Sequence, residues 1–221
     1  MGYDLIFTIL TVAPPLILAI TLHEAAHGYA ARYFGDNTAW ALGRVSLNPM
    51  KHIDPMGTIL LPLVLYFATS GAFLFGYAKP VPVNFGRLRK PKRDMIWVAL
   101  AGPGSNFVQA LVWGVALYIL HGAGVEEPFF LEMCQAGVRV NVVMFVFNLF
   151  PIPPLDGGRI LVGLLPMRQA MAVSRLEPWG FFIVMALVLT KVINTFWMLP
   201  LMGLSFDAID LLLSPLRALL S

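Results

Sequence analysis

The chain has one cysteine, Cys134, in 221 residues. A disulfide framework within the chain is therefore excluded, and so is a multi-cysteine metal knuckle. Charge is also scarce. Asp, Glu, Lys and Arg make up 12% of the sequence, against about 25% in a soluble domain. Together with 58% hydrophobic residues, this excludes an ordinary water-soluble globule and points to an integral membrane protein. The net charge of +3 is no ground for a nucleic-acid partner, because basic residues in a membrane protein mostly report topology. No long polar linker, repeat or low-complexity tract divides the sequence, so residues 1–221 read as a single membrane domain. The N-terminus lacks a basic n-region and an A-x-A-like cleavage site, so the first apolar segment is expected to be retained.

What is present is an alternation of apolar segments and short polar loops. The loops at 31–55, 78–94 and 166–178 hold eleven of the fifteen Lys and Arg residues. The loop at 121–133 holds three glutamates and no Lys or Arg. Short cytoplasmic loops carry the excess of Lys and Arg, so the first three are expected inside and the last outside. The apolar stretch 56–77 then begins and ends on the cytoplasmic side. A single crossing cannot do that, so a re-entrant element turning near Ser70-Gly71 is expected, with protein covering its broken backbone. The stretches 38–47 and 80–84 read as short strands. The expected fold is an all-α polytopic membrane protein with that re-entrant element and short β-strands on the cytoplasmic side.

The first apolar segment ends in "TLHEAAHGYA", residues 21–30. His23 and His27 are spaced i, i+4, which on a helix stacks them on one face within reach of one ion. Glu24 lies beside the first histidine, where it can act on water activated by a metal. This spacing is the zinc-peptidase pattern, with the glutamate as general base. A catalytic zinc needs a third protein ligand, and no third histidine completes a nearby extension of the motif. His121 is expected on the opposite membrane face, and His52 sits in a polar loop. Among the carboxylates Asp156 stands out. It is the only acidic residue between Glu132 and Glu177, and it lies in an apolar stretch, where an ionisable residue is a functional candidate by default. Pro151, Pro153 and Pro154 break the helix before it, and Gly157-Gly158 permits close backbone approach.

HEAAH on the first helix, "AGPGSN" at 101–106 and "NLFPIPPLDGG" at 148–158 together resemble the site-2 protease family of intramembrane zinc metalloproteases. "LNPMKHIDPMGT" and "GYAKPVPVN" resemble its small prokaryotic branch, and the likeness runs from about residue 20 to 165. Many relatives carry a PDZ insertion or a CBS tail, for which 221 residues leave no space. The resemblance implies a catalytic core over about 5–165 and C-terminal helices over about 178–221. It also implies one zinc ion (Zn2+) per chain, held by His23, His27 and Asp156, with Glu24 as base. Asn148 matches the family asparagine that holds substrate or stabilises the oxyanion, and Asn106 is expected to help line the substrate site. The implied partners are the lipid bilayer and a transmembrane protein or peptide substrate. The implied location is the plasma membrane of a prokaryote, with the active site toward the cytoplasm. An extended substrate is expected to pair with the strand-like pieces or the re-entrant element. The competing reading is a zinc-binding membrane protein without protease activity; a histidine-box oxygenase needs more than the four histidines available.

Overall fold

The computed structural model describes residues 2–60, 64, 67, 76 and 78–220. Seven helices matter for the site: α1 (Gly2–Tyr33), α2 (Pro91–Gly122), α3 (Pro128–Asn148), α4 (Asp156–Leu164), α5 (Met167–Ser174), α6 (Glu177–Leu189) and α7 (Leu199–Leu220). Among the described residues four stretches are long and apolar enough to cross a membrane: Leu5–Tyr33, Pro91–Gly122, Pro128–Asn148 and Asn194–Leu219. The pair α5 and α6, bent by 67° at a short break, offers one more broken span. Only 22% of the most apolar window of the first span is buried, and Leu5, Ile6, Ile9, Leu10, Ile17 and Leu18 point outward. In water that surface would be costly; in lipid it is the surface a spanning helix needs.

α2 runs antiparallel to α1 and α3: His27 meets Val98 and His23 meets Asn106, and Asn106 meets Asn141. The small buried residues Ala19, Ala25 and Ala31 let α1 approach its partners closely, as small residues do in membrane helix packing. α7 packs on α2 and α3, with Ile209 and Leu213 joining Ala110, Val142 and Val146 in one core cluster. α3 stops at Asn148 because Pro151 cannot donate back to the helix. Phe150 bonds to Phe147 instead of Val146, and the freed Val146 carbonyl accepts the indole N–H of Trp197 at 2.8 Å.

The chain then folds back on itself. A Cβ at Gly157 would lie 2.1 Å from the Leu149 carbonyl oxygen, and one at Gly158 2.1 Å from the Pro153 nitrogen. Only glycine lets α4 start against this turn. α4 also packs on the start of α2: Gly163 sits against Ile96, and the Lys92 ammonium bonds to the Leu165 carbonyl. These contacts bring the first residue of α4, Asp156, to the face of α2 that meets the end of α1.

Two sequence expectations need correction. Among the described residues there is no strand. Thr38–Ala41 is a helical turn, started by Asp36, whose Oδ1 accepts from both the N–H and the hydroxyl of Thr38. The stretch 80–84 has no regular secondary structure: Pro80 and Pro82 remove the ladder donors along one edge, and on the other the Val81 N–H is taken by Glu24. Substrate pairing along these two pieces loses its basis with them. The expected turn at Ser70-Gly71 lies outside the described residues; of that segment, Pro55–Leu60 forms a π-helical turn, with Asp54 capping Met56 and Gly57.

Candidate metal centre

His23, His27 and Asp156 converge. The two Nε2 atoms are 3.0 Å apart, and each is 3.3 Å from Asp156 Oδ2. Among the described residues this is the one group of three such side chains placed to hold a metal ion together. Ligand atoms about 2.0–2.1 Å from a tetrahedral zinc stand roughly 3.3 Å from one another, so the triangle has the size zinc requires. His52 is buried elsewhere, with Nε2 on the Ser46 carbonyl. His121 lies exposed at the far end of α2, bonded to Leu117.

The ring orientations also fit. His27 Nδ1 lies 2.7 Å from the Val98 carbonyl, so it carries the proton there and leaves an Nε2 lone pair for the ion. His23 Nδ1 lies 2.6 Å from Asn106 Oδ1. The direction of that bond is set by a chain of amides. Asn141 donates to the Gly137 carbonyl at 2.9 Å, which turns its own oxygen toward Asn106. Asn106 donates to Asn141 Oδ1 at 2.9 Å and to the Ala19 carbonyl at 3.2 Å, which turns its oxygen toward His23. His23 must then donate, and its Nε2 is free as well. Partners of this kind fix the tautomer of metal-binding histidines. Two lone pairs facing each other at 3.0 Å, with a carboxylate oxygen beside them, are a poor arrangement without a cation between them and a good one with it.

Space for the rings comes from α2. A Cβ at Gly102 would lie 2.3 Å from His27 Nε2 and 2.7 Å from His23 Cε1. Glu24, half-buried beside His23, accepts the Val81 N–H on Oε2 at 2.7 Å. Arg159 pairs with Glu177 at 2.9 Å, so Asp156 is left to the histidines. Asn106 is fully buried with its amide used inside the protein, and its place in the site is as the holder of His23. The Asn148 amide donates to the Met144 carbonyl on its own helix at 3.0 Å. Asn141, Val98 and Gly102 were missed by sequence reasoning. An asparagine in an apolar 21-residue helix was a visible signal for Asn141; nothing in the sequence marked the Val98 carbonyl.

Over 203 residues, 88% of this chain and 86% of the relative, the sequence is 36% identical to the protein named "Putative zinc metalloprotease YwhC" of Bacillus subtilis. A family model described as Peptidase family M50 matches residues 123–191. The chain belongs to peptidase family M50, the site-2 protease family. This M50 peptidase is also similar to the proteins named "Putative zinc metalloprotease Rip2". The one from Mycolicibacterium smegmatis is 31% identical over 86% of this chain and 71% of the relative. The one from Mycobacterium tuberculosis H37Rv is 28% identical over 86% of this chain and 73% of the relative. No solved structure matches the chain. The M50 family match spans Asp156 and its turn, and the longer similarities carry the family onto most of the chain, as the sequence resemblance implied.

Proposed function

We propose that this M50 peptidase is an intramembrane zinc endopeptidase that hydrolyses peptide bonds within or near transmembrane segments of other membrane proteins. One observation carries the reading: a donor set sized for zinc, with a glutamate beside it, sits inside a bundle of lipid-facing helices. His23, His27 and Asp156 hold the ion, which when bound activates water and polarises the scissile carbonyl. Glu24 takes the proton from the attacking water and delivers it to the departing nitrogen. Asn148 lies at the end of α3, and its amide leaves Met144 to donate to substrate backbone or to the developing oxyanion. The substrate helix must unwind first, since helical carbonyls are already bonded.

The depth follows from α1. His27 lies six residues and His23 ten residues before Tyr33, roughly 9 and 15 Å from the helix end at about 1.5 Å per residue. That end leads into the basic loop 31–55 and lies against the loop 78–94, which supports a site toward the cytoplasm of a prokaryotic plasma membrane. The test is reconstitution in proteoliposomes with a single-span substrate and with its isolated soluble flank, the cut site being mapped by mass spectrometry. Cleavage inside or next to the span, and none of the flank alone, is expected. Cleavage of the soluble flank only, or zinc binding with no cleavage of any span, contradicts the reading.

A further inference from the structure

We propose that Glu24 is aimed by a proline-bounded strap, residues 79–83, and that Arg44 is the positioning residue that keeps this strap in place. The inference rests on Glu24 being the general base. One of its oxygens, Oε2, accepts the Val81 N–H at 2.7 Å; the other remains for the water. A glutamate has three rotatable bonds, and a single bond to a floating loop would not fix it.

The strap does not float. Arg44 Nη2 donates to the carbonyls of Lys79 and Pro80, at 3.0 and 3.3 Å. These are the two carbonyls directly before the Val81 N–H. The Lys79 N–H donates to the His52 carbonyl at 2.9 Å, and the Asn84 N–H is held by Asp36. Pro80 and Pro82 fix φ on either side of Val81, so anchors at 79, 80 and 84 determine where the Val81 N–H points.

The Val81 side chain is buried over Gly28, one turn after Glu24 on the same face of α1. A Cβ at Gly28 would come within 2.7 Å of Val45 and 3.2 Å of Val81. The glycine that ends "HEAAHG" thus makes the notch in which the strap and the residue after Arg44 both seat. Arg44 reaches Glu24 only through the strap, so it positions the base and takes no part in the chemistry. Planar donors that bridge two acceptors do this better than an ammonium can.

The experiment uses the full-length protein in proteoliposomes with a fluorogenic transmembrane substrate. Wild-type cleavage and its loss in Glu24→Gln come first; failure there overturns the base assignment and is distinguishable from any result at Arg44. Given that base, Arg44→Ala is expected to lower kcat about tenfold, the smaller end of what lost supporting hydrogen bonds cost, with KM and zinc content unchanged. Arg44→Lys is expected to fall between Arg44→Ala and wild type. In a Glu24→Asp background, where the shortened carboxylate no longer reaches Val81, Arg44→Ala is expected to cause no further loss. An unchanged kcat in Arg44→Ala, or the same tenfold loss in the Glu24→Asp background, overturns the proposal. A raised kcat in Arg44→Ala also overturns it, because the strap would then block the base.

Discussion

Gly102→Ala places one methyl group between two imidazoles. The new Cβ would stand 2.3 Å from His27 Nε2, 2.5 Å from His27 Cε1 and 2.7 Å from His23 Cε1. Ordinary heavy-atom contacts lie at about 3.5 Å, so the His27 ring must retreat by roughly 1 Å. That ring is tied to the Val98 carbonyl at 2.7 Å, so retreat costs a bond that fixes its tautomer. A misplacement of about 1 Å at a reacting centre can cost about 100-fold in rate. Loss of a supporting bond to a metal-binding histidine costs about 10–100-fold in metal affinity. Helix propensity predicts the opposite sign, since Ala is favoured over Gly by about 0.5–1 kcal/mol in a helix interior. Gly104→Ala is the control, because nothing lies within 4 Å of a Cβ there. The assay is zinc per protein by mass spectrometry, thermal midpoint in detergent and cleavage in proteoliposomes. Gly102→Ala is expected to lose zinc and nearly all activity, while Gly104→Ala keeps both. Full zinc and wild-type cleavage in Gly102→Ala would refute the geometry.

Asn106→Ala removes the acceptor of His23 and orphans Asn141, and is expected to weaken zinc binding about 10–100-fold, read by titration with a competing chelator; unchanged affinity would remove Asn106 from the site. Asn148→Ala is expected to keep zinc, because its amide bonds only its own helix, and to lower kcat about 100-fold as a lost oxyanion donor; undiminished cleavage would end that role. Burial opposes ionisation of Asp36, but the Thr38 hydroxyl, the N–H groups of Asn84 and Thr38, and Arg87 together hold its carboxyl below the usual carboxylate range. Its stabilising contribution is therefore complete above the unfolded value, near 4, and lost as pH falls through the lower folded value. Thermal midpoints followed downward from pH 6 in detergent should show a decline in wild type that is smaller in Asp36→Asn, which already lacks the charge; parallel curves would refute this.

The metal centre was legible because lipid tolerates few ionisable groups. His23, Glu24 and His27 declared themselves by spacing, and Asp156 by being the one carboxylate in a long apolar stretch. The helical frame was legible from apolar length and basic loops. The strands were not, because propensity at 38–47 and 80–84 lost to local hydrogen bonding. Asp36 offers the Thr38 backbone a helix start, and the two prolines strip the donors from one edge of the strap while Glu24 takes the Val81 N–H on the other. The role of Asn106 was half legible. Its motif placed it near the site, but only the polarity of the Gly137–Asn141–Asn106–His23 chain shows its oxygen accepting from His23. The Val98 and Val81 contacts are backbone groups, which sequence patterns do not mark.

The central claim is that Glu24 serves as base beside a zinc held by His23, His27 and Asp156. Its most direct test is Glu24→Gln, with zinc content and cleavage of a transmembrane substrate measured on the same reconstituted sample. The substitution keeps shape and leaves all three donors in place. One zinc per chain with cleavage reduced to background is the expected result. Cleavage at the wild-type rate would contradict the account.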